Sequence, residues 1–348
     1  MSVPRLAVSV GCPSGVGPEV SVAAAARLSA SRIRARVLLV GDLGSLHAGA
    51  RAMGVDPARL VRVASAREGF GLRAPRIGVL EVVPPLAATD RAPGAPSRAG
   101  GAAQLAWVDA ATDLVARGEA DALVTGPVSK DAIARSGAKG AKGFLGHTEH
   151  LARRLGASEV TMAFHDREKG FTTSLVTTHL PLAKVPRAVT AEAVARATFW
   201  TGKLLVDLAS PRARRAPRLA VAALNPHAGE HGLLGHEEED VIAPGIAAAA
   251  KRLARARLAV TLSGPVPAES AFRLGANGAF EGVVAMYHDQ ATIPMKLLGF
   301  GESVNVSLGL PIVRTSVDHG TAYDRAAKGT ADPRGMLEAL RLAARLTA

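Results

Sequence analysis

Short apolar runs rich in β-branched residues alternate along this chain with longer, alanine-rich segments of helical period. The runs fall at residues 6–10, 35–40, 77–83, 122–125, 160–164, 172–177, 219–224, 259–263, 283–286 and 304–308. Many are continuously apolar rather than alternating, the pattern of strands covered on both faces. Helical patterns occupy 18–28, 102–117, 191–208, 237–256 and 334–346, and Pro244-Gly245 is expected to interrupt the fourth. Such alternation predicts an α/β fold with a largely parallel sheet. At 348 residues, 48% of them hydrophobic, the chain is long enough for two ordinary domains.

No apolar run approaches the roughly 20 residues that span a bilayer. The opening stretch, residues 5–11, is too short and too strand-like for a secretory signal and has no small-residue cleavage site. A cytoplasmic protein without membrane contact is expected. Cys12 is the one cysteine, so an intrachain disulfide and a multi-cysteine zinc site are both excluded. A metal would have to be held by His, Asp or Glu. The net charge of +12 raises the question of nucleic acid. The arginines are spread over connectors such as 211–217, however, and aromatic residues make up only 3%, too few for stacking platforms. A solvated arginine-rich surface accounts for the charge, and no nucleic-acid partner is expected. The field would favour anionic substrates. The Pro-, Gly- and Ala-rich stretch 91–103 reads as a surface loop.

Several segments carry polar chemistry where a strand should end. Gly11-Cys12-Pro13-Ser14-Gly15-Val16-Gly17-Pro18-Glu19 follows the first strand and opens a helix, with Pro18 where a missing N–H does no harm. Glycines there allow close backbone approach, and a helix start favours anions. It is not a G-x-G-x-x-G fingerprint, so a standard Rossmann domain is disfavoured. Thr125-Gly126-Pro127-Val128-Ser129-Lys130 ends a buried run, and Gly146-His147-Thr148-Glu149-His150 begins a helix. His147 and His150, three apart, resemble half of a metal site, although Thr148 equally suits a helix cap. His179, His227 and His288 each follow a strand, in the contexts TTHLPL, LNPHAGE and MYHDQ. In an open α/β sheet the carboxyl ends of strands share one edge, so three such imidazoles could meet on one divalent cation with positions left for substrate. Such a cation would stabilise an alkoxide formed before hydride departure. The cluster His236-Glu237-Glu238-Glu239-Asp240 is better read as acids at a helix start. Lys296, Asn305 and Arg314 lie in glycine-punctuated segments suited to phosphate and carboxylate. The run 318–333 is small, polar and glycine-bearing, and could wrap an adenosine.

Together the segments GCPSGVGPEV, TGPVSK, GHTEH, TTHLPL, LNPHAGE, SGPVPAE, MYHDQ, NVSLGLPIVRTSVDHGTA and KGTADP resemble, in order and over nearly the whole chain, the 4-hydroxythreonine-4-phosphate dehydrogenase family of pyridoxal phosphate biosynthesis. The resemblance implies a two-domain α/β fold like that of isopropylmalate and isocitrate dehydrogenases, not a standard Rossmann fold. It implies a discontinuous cofactor-binding domain, 1–126 with 300–348, and a metal, substrate and dimerisation domain, 127–299. It implies NAD or NADP, and one divalent metal (Zn, Mg, Mn or Co) on His179, His227 and His288. Substrate would meet His147, Thr148, Lys296, Asn305 and Arg314. Cofactor would meet Gly15, Gly17, His319, Gly320, Thr321 and Asp324. A homodimer is implied, with a metal site that draws one histidine from the partner. The implied reaction oxidises the C3 hydroxyl of 4-phosphohydroxy-L-threonine to 2-amino-3-oxo-4-phosphooxybutanoate, which loses carbon dioxide to give 3-amino-2-oxopropyl phosphate. Asp289 and Lys296 are the side-chain candidates for proton transfer, beside metal-bound hydroxide. Cys12 stands where the family usually has a carboxylate, Ala291 where it has glycine and Glu269 where it has aspartate; these bear on cofactor preference and substrate choice. Other readings are a related dehydrogenase of phosphorylated threonate or erythronate, or of a carboxylated cis-dihydrodiol. More distant is a three-histidine metallohydrolase, which would have no use for the HGTAYD region.

Overall fold

The computed structural model describes residues 3–210, 215–299 and 302–348. The basic connector expected at 211–217 and the residue Phe300 therefore lie partly or wholly outside the described residues. The chain divides into two compact units, Met1–Ala157 with Leu310–Ala348, and Ser158–Gly309.

In chain order the first unit begins with β1 (Arg5–Ser9), α1 (Gly17–Ser29), β2 (Arg36–Val40), α2 (Leu43–Ala52), β3 (Leu60–Val63), α3 (Ala66–Gly71) and β4 (Ile77–Leu80). It continues with α4 (Arg98–Ala116), β5 (Ala122–Thr125), α5 (Lys130–Arg135) and α6 (His147–Leu155). The second unit holds β6 (Thr161–Asp166), β7 (Phe171–Leu175), α7 (Val185–Ala188), α8 (Ala191–Leu208), β8 (Arg218–Ala222) and α9 (Ala243–Arg255). It ends with β9 (Thr261–Val266), α10 (Ala268–Ala276), β10 (Gly282–Ala285), α11 (His288–Gly299) and β11 (Val304–Leu308). The chain then returns to the first unit with β12 (Val313–Val317) and α12 (Arg334–Leu346).

The first unit's strands lie in the order β3-β4-β2-β1-β5-β12, with every pair parallel. That order is not the Rossmann 3-2-1-4-5-6 arrangement. Consecutive residues of β5 are all buried, so both of its faces are covered, and α4 and α12 pack against it. This is why its sequence reads as one apolar run. Thr315, at the middle of β12, donates its hydroxyl to the Ala339 carbonyl of α12 at 2.9 Å, which satisfies a polar group within that buried layer.

The second unit's strands follow the order β11-β6-β7-β10-β8-β9; β7, β10, β8 and β9 run parallel, and β6 is antiparallel to both β7 and β11. Neighbouring residues of β10 feed two separate cores. Val284 packs with Val194, Val221 and Ile242, and Val283 packs with Phe164, Ala220 and Phe272. Each such side chain, fully buried, contributes about 1.5–3 kcal/mol. Pro244 stands in the first turn of α9, directly after a π-helical turn at Glu238–Ile242, so the interruption expected there is a change of helix type.

The division falls at 157 and 310, where the approximate borders expected from sequence were 126 and 300. Residues 127–157 belong with the first unit because α5 packs on α4, and α6 is tied to α4 by ion pairs described below. No helix among the described residues is long and apolar enough to cross a membrane.

Candidate active site

Two glycine-rich turns meet where the first unit's strand order reverses, between β1 and β5, the place where open α/β sheets bind ligands. Gly11 has φ +81°, and a Cβ there would lie 2.4 Å from the Pro127 carbonyl oxygen. Cys12 N–H donates to that same oxygen at 2.8 Å, so the two backbones are in direct contact. The loop after β12 lies on the same turn. Val16 N–H donates to the Thr321 carbonyl at 2.9 Å, and a Cβ on Gly15 would stand 2.6 Å from that oxygen. Farther along, buried Glu19 accepts the Ala327 N–H at 2.6 Å, and burial pushes its carboxyl pKa up.

A cavity of about 240 Å³ lies here, lined by Ser14, Gly15, Glu19, Arg91, Ala326 and Ala327 among others. Gly15 and Thr321 are thus brought together, while Gly17 packs on Val10 and Cys12. His319 and Asp324 stay exposed, the first donating Nδ1–H to the Gly320 carbonyl at 2.9 Å, the second beside Arg325 at 4.0 Å. Cys12 is buried, with its Sγ 3.6 Å from the Tyr323 hydroxyl, and burial pushes its thiol pKa up. A protonated thiol is a poor nucleophile, so Cys12 is a packing residue.

Along the same edge, Arg314 on β12 is only 3% exposed and donates to the Thr125 hydroxyl at 2.6 Å. Burial pushes its guanidinium pKa down to about 9, against the pull of nearby Glu149. His147 opens α6 directly after Gly146, which offers no side-chain cap. The His147 ring is partly exposed, but its Nε2 is buried and has no hydrogen-bond partner among the described residues. Desolvation, helped by the positive charge of Arg314, by His150 and by Lys130, holds its pKa well below the ordinary imidazole value. Thr148 is buried beside it. A neutral imidazole, a buried guanidinium and an uncapped helix start form a preorganised anion site.

His150 does not join His147 in a metal site. Its Nε2 meets Asp109 Oδ1 at 2.6 Å, Arg154 reaches Asp109 at 3.2 Å and Asp113 at 2.7 Å, and this ladder fastens α6 to α4. Phe144 sets its edge against the His147 ring at 6.2 Å and leans on His150 at 5.3 Å. Glu149, Lys130 and Thr125 carry no role in the sequence reading. What marks them is their position within the TGPVSK and GHTEH turns that frame His147 and Arg314.

In the second unit, His179 and His288 stand with ring centroids 5.3 Å apart and tilted by 41°. His288 Nδ1 is engaged by Asp289 Oδ1 at 2.7 Å, so Nε2 is the ring nitrogen that could coordinate. A carboxylate on the outer nitrogen is the usual way a metal-ligating imidazole is oriented. The pair therefore fits a divalent cation. His227 does not join them: among the described residues no group of three His, Cys, Asp or Glu side chains is placed to hold a metal ion. His227 is exposed and lies in a stretch of left-handed backbone, with φ +52° at His227, +55° at Ala228, +46° at Glu230 and +55° at His231. Non-glycine residues in that region are uncommon and strained.

The loop that carries His227 is held by the acidic cluster. Buried Glu238 accepts the Leu224 and Asn225 N–H groups, each at 2.8 Å, and Glu237 accepts from Asn225 Nδ2 at 2.7 Å. The cluster's acids stand in the first turn of a helix, as expected, but the hydrogen bonds that Glu237 and Glu238 make go to the loop at Leu224 and Asn225. Lys296 is exposed on α11, and Asn305 is half-buried on β11 opposite Phe164.

Residues 34–343 match the family model described as pyridoxal phosphate biosynthetic protein PdxA. The chain is 43% identical to 4-hydroxythreonine-4-phosphate dehydrogenase of Acidithiobacillus ferrooxidans, over 99% of this chain and 96% of that one. It is 40% identical to the protein of the same name from Geobacter metallireducens, over 99% and 95%. The crystal structure of 4-hydroxythreonine-4-phosphate dehydrogenase from Klebsiella pneumoniae superposes with a TM-score of 0.79 at 31% identity, covering 99% of this chain and 100% of that one.

Proposed function

The chain belongs to the PdxA family, and from that premise we propose that it oxidises 4-phosphohydroxy-L-threonine at the C3 hydroxyl with NAD or NADP. The C3 hydrogen leaves as hydride to the nicotinamide, the hydroxyl proton is lost, and a carbonyl forms. The product, 2-amino-3-oxo-4-phosphooxybutanoate, is a β-keto acid and loses carbon dioxide to give 3-amino-2-oxopropyl phosphate.

The observation that carries this reading is the buried Arg314 beside a neutral His147 with an open Nε2, a site built for an anion of fixed position. Arg314, Thr148 and His147 hold an anionic end of the substrate, and we assign Lys296 and Asn305 to the substrate as well, on the family resemblance. On α11, Lys296 Nζ and the Asp289 carboxylate exchange a proton with the C3 hydroxyl, the carboxylate also fixing the His288 ring. One divalent cation, when bound by His179 and His288, supplies charge stabilisation to the substrate oxygen. We assign the third ligand to His227 of the partner subunit in a homodimer, because His227 does not reach the other two in its own chain. NAD(P) supplies the hydride acceptor, and the paired loops at Gly15, Gly17 and Thr321 hold it, with His319, Gly320 and Asp324 at its open side.

The test is nicotinamide reduction by the purified, metal-loaded protein with 4-phosphohydroxy-L-threonine, alongside phosphorylated threonate and erythronate. Reduction with the first, accompanied by carbon dioxide release, is the expected result. Preference for one of the others would transfer the protein to a different substrate. A second prediction isolates the nucleotide loops. Gly15→Val drives a side chain against the Thr321 carbonyl and displaces that loop. The KM for the nucleotide should rise by roughly tenfold, a loss of about 1.4 kcal/mol, while the KM for the phosphorylated substrate stays within about twofold. Equal rises in both would remove Gly15 from the cofactor site.

A further inference from the structure

At the opposite end of the first unit's sheet, away from the reversal that carries the loops above, the amino-terminal ends of β2 and β4 frame a second cleft. Its volume is about 330 Å³, within the range of small-ligand pockets. The floor is apolar, formed by Ala25, Ile33, Val37, Leu72 and Ile77, and Ile33 remains 38% exposed. The rim carries Arg34, Arg36, Arg73 and Arg76, and no carboxylate lines the cleft. A fifth guanidinium is drawn to its edge: Arg59 donates to the Ser29 hydroxyl at 3.0 Å and to the Pro75 carbonyl at 2.9 Å.

How these cations are held matters more than how many there are. Arg36 donates to the Phe70 carbonyl at 2.7 Å, so it and Arg59 are fixed by neutral acceptors that leave their charge undiminished. Elsewhere in the unit Arg5, Arg62 and Arg154 are met by Asp121, Glu81 and Asp113. Like charges gathered around low-dielectric walls focus a positive field into the cleft. Planar guanidinium forks match phosphate oxygens in pairs. The apolar floor beneath them would be wasted on a bare inorganic ion.

We propose that this cleft binds a small organic phosphate, a doubly charged phosphate group on an aromatic or apolar body, at a site separate from the catalytic one. The phosphate meets the arginine rim and the body covers Ile33 and Leu72. The proposal does not depend on the reaction assigned above.

The probe is 1-naphthyl phosphate, titrated by calorimetry into the full-length Arg314→Ala protein, which removes the competing anion site. One bound equivalent is expected, displaced by inorganic phosphate and not reproduced by 1-naphthol. Arg73→Glu with Arg76→Glu should weaken binding by at least about tenfold, the step of one lost charge-assisted contact. Arg34→Glu alone, at an exposed position, should weaken it in the same direction if the double variant folds poorly. Arg98→Glu with Arg135→Glu changes the net charge equally on α4 and α5, whose residues do not line the cleft, and should leave the affinity within about twofold. Unchanged binding in the cleft variants, an equal loss in the remote pair, equal binding of 1-naphthol, or no binding at all in the Arg314→Ala protein would each overturn the proposal.

Discussion

Replacing His288 with alanine is expected to lower kcat/KM by about 10³-fold, the several kcal/mol that a bound cation gives to a developing oxyanion. Removing the metal with a chelator should do the same to the unaltered protein, and adding back a divalent cation should restore it. The two rings at His179 and His288 already approach to 5.3 Å, so loss of either removes half of what one chain contributes. His227→Ala should be as damaging, although His227 is exposed and apart from the pair in its own chain. Mixing His227→Ala with His288→Ala protomers separates shared from unshared sites: in a mixed dimer one site regains all three histidines only if His227 crosses between subunits. Asp289→Asn keeps the ligands but loosens the grip on His288 Nδ1, and a milder loss of roughly 10–100-fold is expected. The checks are initial rates of nicotinamide reduction and metal content by elemental analysis. Full activity after chelation, or in the His288→Ala protein, would refute the metal assignment.

Arg314→Met should raise the KM for the phosphorylated substrate by about 100-fold, near the 3 kcal/mol of a strong charge-assisted contact, with a smaller change in kcat. The same substitution is expected to leave the thermal midpoint of the ligand-free protein unchanged or higher. The reason lies in how the charge is held. Burial lowers the Arg314 pKa from its ordinary value to about 9, so the unfolded chain binds the proton more tightly than the folded one. The charge therefore opposes folding at every pH below about 9, and that opposition fades only as the pH climbs from 9 toward the ordinary arginine value. A flexible apolar side chain removes the desolvated charge while filling much of the space. Calorimetry of the unliganded protein beside steady-state kinetics tests both halves. A large fall in the midpoint together with an unchanged KM would make Arg314 a structural residue.

The sequence was most informative where burial and apolarity coincide. Each of its ten apolar runs overlaps an observed strand, and the signature is plainest where every residue of a strand is buried, as in β5 and β10. β12 was missed for the opposite reason. Val313-Arg314-Thr315-Ser316-Val317 looks like a polar loop, yet its three central residues are buried, and hydrogen bonds such as those to Thr125 and Ala339 make that tolerable. β3, at the edge of the sheet, carries the exposed Arg62 and leaves no continuous apolar run. The helix α11 was hidden by Pro294 in its interior.

The site was legible in a different way. Single histidines and glycine turns are weak alone, and it was their order along the chain, matched to a family, that singled out His147, Arg314 and the pair His179 and His288. What no local pattern could reveal was the role of the supporting groups: Asp109 on His150, Glu238 on the His227 loop, Thr125 under Arg314. Each lies far in sequence from the group it holds, or is joined to it only by the fold.

The departure of the chain from its first unit at residue 157 and its return at 310 has a consequence for biogenesis. On the ribosome, β1, β5 and α6 emerge early, but the strand bearing Arg314 follows only after the whole second unit has been translated. Until then the incipient pocket holds His147 and Thr148 without their cationic partner, and the flank of β5 that β12 will occupy lies bare. Nascent protein must therefore wait for its final segment before it can recognise an anion, and in that interval an exposed strand edge is open to chaperones or to mispairing.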